Sequence, residues 1–328
     1  MSENIKTTKE LARYYRSQDI PLWVHGSPGI GKSQAIRQLT YELRIGFIDV
    51  RLGSLMPEDL SGIPVPDMIK RLAIWLESEF WPNHERDGEE GIIIFDEISD
   101  ASRALQSAAY KIILERQHLP PGWWPCAAGN RREDRAAAGA ISTALANRFA
   151  HVEVEADLEC TIEYFNAIGV NELITGFLRF RPGLLHSMEG ANLLAFPTPR
   201  SWEQAGKVCD APHGLRFKLM RGLVGEGPAG EFEAYAKVSD LPDLDDIVDN
   251  PAKTRIPSEP GTKYALSSML ARRAIRSNFD KICTYIKREE FGRDFEICTV
   301  LDATKRDDSL CETKAFVEFA KRNSDLQL

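Results

Sequence analysis

The sequence has no apolar run near the ~20 residues that span a bilayer; its longest candidate, Gly91 to Phe95, is followed at once by two carboxylates. Residues 1–20 hold no apolar stretch of the signal-peptide kind, so a cytoplasmic location without membrane association is expected. Positive charge is not in excess. Forty-one Lys and Arg against 49 Asp and Glu leave a net charge of −8, which speaks against a protein that tracks nucleic-acid phosphates. The six cysteines (Cys126, Cys160, Cys209, Cys283, Cys298, Cys311) form no C-x-x-C pair, and no histidine stands at ligand spacing from them. Neither a zinc site nor a disulfide framework is expected, and the thiols read as reduced. No internal repeat is visible. What is present is a 328-residue chain, 43% hydrophobic and 27% charged, with room for about two globular domains.

The pattern along the chain changes once. Residues 7–17 read as an amphipathic helix, Pro21 to His25 as a short strand running into glycines, Ser33 to Leu43 as a helix, and Gly46 to Leu52 as a strand. Strand, glycine turn, helix and strand make a βαβ unit, which implies a parallel sheet. Residues 53–67, with three prolines and two glycines, are expected to form a long loop, and Met68 to Phe80 a helix. Gly91 to Phe95 reads as a buried strand, 101–116 as a helix, and Trp124 to Ala128 and His151 to Val154 as further strands. Beyond residue 156 only helical periodicity remains, over 157–185, 200–224, 229–239, 263–290 and 312–323, with the acidic, proline-containing stretch 241–262 expected as an exposed connection. The domains so expected are 1–155 (α/β, nucleotide-binding), 156–240 (helical lid) and 241–328 (linker and helical extension).

Gly26-Ser27-Pro28-Gly29-Ile30-Gly31-Lys32-Ser33 fits G-x-x-x-x-G-K-[ST] between an expected strand and helix, the context that pattern requires. With glycine near 7% of residues, chance would place it in on the order of one such chain in a hundred. Its glycines let backbone N–H groups close around a β-phosphate, the following helix end adds partial positive charge, Lys32 neutralises β- and γ-phosphates, and the Ser33 hydroxyl ligates Mg²⁺. ATP and Mg²⁺ are therefore the expected ligands. Ile92 to Phe95 delivers Asp96 and Glu97 to the sheet edge where α/β ligands bind. Asp96 is placed on Mg²⁺ through water, and Glu97 on the water that attacks the γ-phosphate. Asn130, in Ala127-Ala-Gly-Asn130, either holds that water opposite Glu97 or ends a strand in a turn. Arg148, in Leu145-Ala-Asn-Arg-Phe149, reads as an inter-subunit arginine finger or as a charge at a helix C-terminus. Arg200, in Pro197-Thr-Pro-Arg-Ser-Trp202, begins a helix in the second region, as a residue reaching back to the γ-phosphate would. His25, Trp75, Trp81, Trp123 and Trp124 read as packing residues, while Leu60 and Ile63, too apolar to face solvent in a monomer without a purpose, either line a pore or dock a client, or pack on the protein's own sheet.

In this order, the motifs resemble those of AAA+ ATPases of the MoxR-like group, specifically over residues 5–240. The resemblance implies an α/β P-loop AAA+ domain with a five-stranded parallel sheet, an all-α lid and a helical C-terminal extension. It implies sensor 1 at Asn130, the finger at Arg148, sensor 2 at Arg200, and an insertion at 53–80 lining the upper pore of a ring. Arg131, Arg132 and Arg135 crowd the Asn130 loop, so the finger assignment stays open among them and Arg148. The function so implied is Mg-dependent ATP hydrolysis driving chaperone-like remodelling in a homo-oligomeric, hexameric ring, with a von Willebrand factor A-domain partner. Two other readings stand beside it: a nucleic-acid motor or helicase loader on the same fold, and a non-hydrolysing nucleotide-gated scaffold.

Overall fold

The computed structural model describes residues 2–131, 146–188, 194–238 and 241–324. They fall into two compact units, 1–156 and 157–328.

The first unit is built on five parallel strands: β1 (Leu22–Gly26), β2 (Gly46–Arg51), β5 (Gly91–Asp96), β6 (Trp123–Gly129) and β7 (Ala150–Val154), in the spatial order β2-β5-β6-β1-β7. The continuous apolar runs are explained by burial on both faces. Ile92 and Ile94 of β5, Trp124 and Cys126 of β6, and Leu22 and Val24 of β1 share one core with α1 (Ile5–Ser17) and α2 (Lys32–Leu43). The alternate residues Ile93, Phe95, Trp123 and Trp23 share the other with α5 (Arg103–Glu115). This is the α/β class expected, with the P-loop between β1 and α2.

Residues 53–80 depart from expectation. The stretch read as a loop contains a short helix, α3 (Pro57–Ser61), and strand β3 (Ile63–Asp67). The stretch read as a helix contains β4 (Leu72–Leu76), antiparallel to β3 with Ile63 opposite Leu76 and Val65 opposite Ile74. Leu60 is fully buried in the α5-side core, so of its two readings packing holds and pore lining does not, whereas Ile63 is 63% exposed. Trp75 is corrected in the opposite sense: it is exposed on β4, while Trp81, Trp123 and Trp124 are buried. A further short helix, α4 (His84–Asp87), leads to β5.

The second unit is helical among its described residues: α6 (Leu158–Ile168), α7 (Glu172–Phe180), α8 (Pro199–Gly206), α9 (His213–Val224), α10 (Glu226–Val238), α11 (Leu244–Asp249), α12 (Pro260–Arg273), α13 (Phe279–Ile286), α14 (Arg293–Arg306) and α15 (Lys314–Arg322). The stretch read as an exposed connection thus holds α11, whose Ile247 is fully buried, and the long helix read over 263–290 is two. Segments 157–238 and 241–324 pack together. Gly176 of α7 lies against Ala265 of α12, and Arg179 of α7 forms a bidentate pair with Asp302 of α14, at 2.6 and 2.9 Å.

Candidate active site

The β1–β6 register pairs His25 with Gly129, so the P-loop and the turn after β6 leave the sheet side by side at its C-terminal edge. Gly26 is required there, since a Cβ would stand 2.6 Å from the Val154 carbonyl oxygen of β7. Gly29 and Gly31 adopt φ of 76° and 97°, which side-chain-bearing residues rarely take. No side chain caps the 12-residue α2, whose N-terminus directly follows the P-loop, and an uncapped helix N-terminus is the kind of end that can bind an anion. Ser27 and Ile30 are buried, and Pro28 is partly so.

Lys32 is 8% exposed. Its ammonium donates to the carbonyls of Gly26 (2.8 Å) and Ser27 (2.9 Å) and to Asn130 Oδ1 (3.1 Å). The lysine thus lies along its own loop, in reach of the residue expected to share its phosphate. Ser33 Oγ donates to Asp96 Oδ2 at 2.5 Å, joining α2 to the end of β5. These are hard oxygen donors, and their approach fits a shared Mg²⁺.

Glu97 takes φ 58°, a left-handed conformation costly for a non-glycine residue. Its N–H donates to Asp96 Oδ1 at 2.9 Å, and its carbonyl accepts from the Asp100 N–H at 2.8 Å. The tight turn sets the exposed Glu97 side chain over Gly53, where a Cβ would stand 2.6 Å from Glu97 Oε2. Gly53 was not legible as a site residue, because nothing in its sequence context marks it. Nor was Asp49 of β2. Burial pushes the Asp49 carboxyl upward and the charge of Asp96 adds to this, while Arg51 and Arg37 oppose it.

The other candidates are placed differently. Arg148 is exposed, its guanidinium 5.7 Å from the centre of the Tyr110 ring, two residues before β7 begins. Arg131 turns inward, and Arg132 and Arg135 lie outside the described residues. Arg200 is exposed in the first turn of α8, whose N-cap Thr198 accepts from the Ser201 N–H. A cation there opposes the helix dipole, so helix stability does not account for its position. His25 is half-buried as a packing residue, stacked on Trp23, with its Nε2 2.7 Å from His151 Nδ1.

No family model matches the chain, nor does any curated protein. Among solved structures, a candidate ATPase from Cytophaga hutchinsonii is 13% identical, with a TM-score of 0.40 over 98% of this chain and 89% of its own. The RuvB Holliday junction branch migration motor of Thermotoga maritima is 15% identical, with a TM-score of 0.35 over 86% and 74%. The replication initiator DnaA, bound to AMPPCP and single-stranded DNA, is 15% identical, with a TM-score of 0.39 over 99% and 94%. Among the described residues, no helix is long and apolar enough to cross a membrane.

Proposed function

We propose that this chain is a Mg-dependent ATPase of the MoxR-like AAA+ type, working as a homo-oligomeric ring, hexameric by the resemblance, on a protein partner. The observation that carries the reading is the meeting of Lys32, Ser33, Asp96 and Asn130 at one sheet edge, linked by hydrogen bonds of 2.5 and 3.1 Å. In this reading Gly26 to Ser33 cradle the phosphates of ATP and Lys32 leaves its own carbonyls for them. Bound Mg²⁺, held by Ser33 and Asp96, would draw charge from the β- and γ-phosphate oxygens. Glu97 accepts the proton of the attacking water, Asn130 orients that water, and Arg200, at the start of α8, is sensor 2 by the resemblance. Arg148 serves a neighbouring subunit.

The β3–β4 hairpin supports a protein partner over a nucleic acid. Met68 and Ile69 at its tip are 82% and 95% exposed, and Ile63, Trp75 and Leu76 are exposed along it. Such apolar surface suits a protein, of the von Willebrand factor A-domain type by the resemblance, better than a phosphate backbone. Nucleotide titration with steady-state turnover tests the proposal. Lys32→Ala is expected to lose ATP binding, and Glu97→Gln to keep binding, lose turnover and hold the ATP-bound assembly. A Glu97→Gln protein with the wild-type rate would overturn the assignment of the base.

A further inference from the structure

Arg131 carries an inference that follows from its surroundings. It is the residue after Asn130, in the turn that leaves β6, and its side chain crosses the end of β1. One Nη donates to Ser27 Oγ, in the first turn of the P-loop. The other lies 3.3 Å from Glu153 Oε1 and 3.8 Å from Glu155 Oε1, on the β7 side. The sheet order β5-β6-β1-β7 puts those carboxylates on the opposite side of β1 from Asp96 and Glu97. Two consecutive residues, Asn130 and Arg131, therefore hold the P-loop at two points, its lysine and its second residue.

We propose that Arg131 is a positioning residue for nucleotide binding that acts within its own subunit, fixing the P-loop through Ser27, and is not a finger for a neighbour. A finger needs a guanidinium that reaches outward with its charge available, as Arg148 does on the surface. The Arg131 side chain is 24% exposed, and two carboxylates offset its charge. What it supplies is geometry: a fork wide enough to bond a hydroxyl and a carboxylate at once, which a lysine ammonium cannot reproduce. A P-loop held in place loses less freedom when phosphate arrives, so the effect falls on affinity.

The inference rests on reading the P-loop as an ATP site, and the experiment separates the two. ATP and ADP affinities, KM and kcat are measured for wild type, Arg131→Ala, Arg131→Lys, Ser27→Ala and the Arg131→Ala/Ser27→Ala pair, with melting temperatures alongside. Loss of one charge-assisted hydrogen bond should weaken ATP and ADP together by about tenfold. Turnover at saturation should fall by less than about threefold, because the lost interaction is made equally in ground and transition states. Arg131→Lys should not restore affinity, and the double variant should be no weaker than Arg131→Ala. A thousandfold fall in kcat with binding intact would make Arg131 a finger and overturn the proposal. So would multiplicative effects of the two single variants, or unchanged affinity in either. Wild-type protein that binds neither nucleotide would overturn the ATP-site reading itself.

Discussion

Ser33 Oγ and Asp96 Oδ2 lie 2.5 Å apart, so the helix that follows the P-loop and the strand that delivers the acid are joined by one hydrogen bond. Both oxygens are assigned to the same Mg²⁺, which ties their contributions to each other. Ser33→Ala and Asp96→Asn are each expected to weaken Mg-dependent ATP binding, and the double variant to do little more than the worse single one. Chelation of Mg²⁺ should abolish wild-type turnover and erase the affinity differences among the variants. ATP titration with and without Mg²⁺ checks this; additive losses would break the shared-metal assignment.

Gly53 and Glu97 make a sharper case. A methyl at Gly53 meets only the mobile end of the Glu97 side chain, so the fold tolerates it while the carboxylate is displaced. Gly53→Ala should lower kcat by about 10²-fold, the scale of an ångström-size misplacement, with ATP affinity little changed. In a Glu97→Gln background the same substitution should cost nothing further. Single-turnover kinetics would show both, and an unchanged kcat in Gly53→Ala would mean that Glu97 does not act from that position.

The hairpin separates packing from docking at neighbouring residues. Leu60 is part of the core, and Leu60→Ser should destabilise by about 3–5 kcal/mol. Ile69 and Trp75 face outward, so Ile69→Ser with Trp75→Ser should keep the melting temperature and basal turnover while impairing action on a protein partner. Thermal melts and ATPase assays check both halves, and a double variant that unfolds would return the hairpin to a packing role.

Much of this was legible where sequence pattern and burial agree. The strands β1, β5 and β6 announced themselves as apolar runs because both their faces are covered, and the P-loop by glycines whose backbone demands only glycine meets cheaply. The hairpin was missed because Pro64 and Pro66 suggest a loop, and because both of its faces stay open, leaving Leu72 to Leu76 without alternation. Helix α14 was missed for the opposite reason. Its buried face includes Glu296, Thr299, Asp302 and Thr304, so it shows no apolar stripe; arginines distant in sequence, Arg179 and Arg322, satisfy its acids. The Arg131–Ser27 contact spans 104 residues, a pairing that no local motif encodes.

That buried pairing in α14 has an energetic consequence. Arg179 and Asp302 are 7% and 8% exposed, and Asn166 also donates to Asp302 at 3.3 Å. Asp302→Ala would leave the guanidinium buried with Glu159, at 3.3 Å, as its remaining carboxylate partner among the described residues, costing about 3–5 kcal/mol. Replacing both, Arg179→Met with Asp302→Leu, should cost much less, because no buried charge is left behind. Urea unfolding of the full chain measures both, and a double variant as unstable as Asp302→Ala would show that the charges themselves hold the helices together.

Arg148 stands at the end of the sheet away from its own P-loop. Ala150, two residues on, pairs with Leu22 at the start of β1, whereas the P-loop leaves β1 beyond Gly26 at the other end. Leu22 and Gly26 are four strand steps apart, about 13 Å, and Arg148 comes before the residue paired with Leu22; that is farther than an arginine side chain reaches, so Arg148 does not serve the phosphates of its own P-loop. It is exposed and rests on Tyr110, available to an adjoining subunit. Arginine fingers contribute ~10³ to 10⁵ in rate, so Arg148→Ala should nearly silence turnover and leave ATP binding close to normal. Lys32→Ala should be silent too, for want of bound ATP. Mixing the two should restore part of the activity, since some interfaces then pair an intact P-loop with an intact finger. Undiminished turnover in Arg148→Ala alone would refute the assignment, and with Arg131 turned onto its own P-loop, Arg132 and Arg135 would be the arginines to test next.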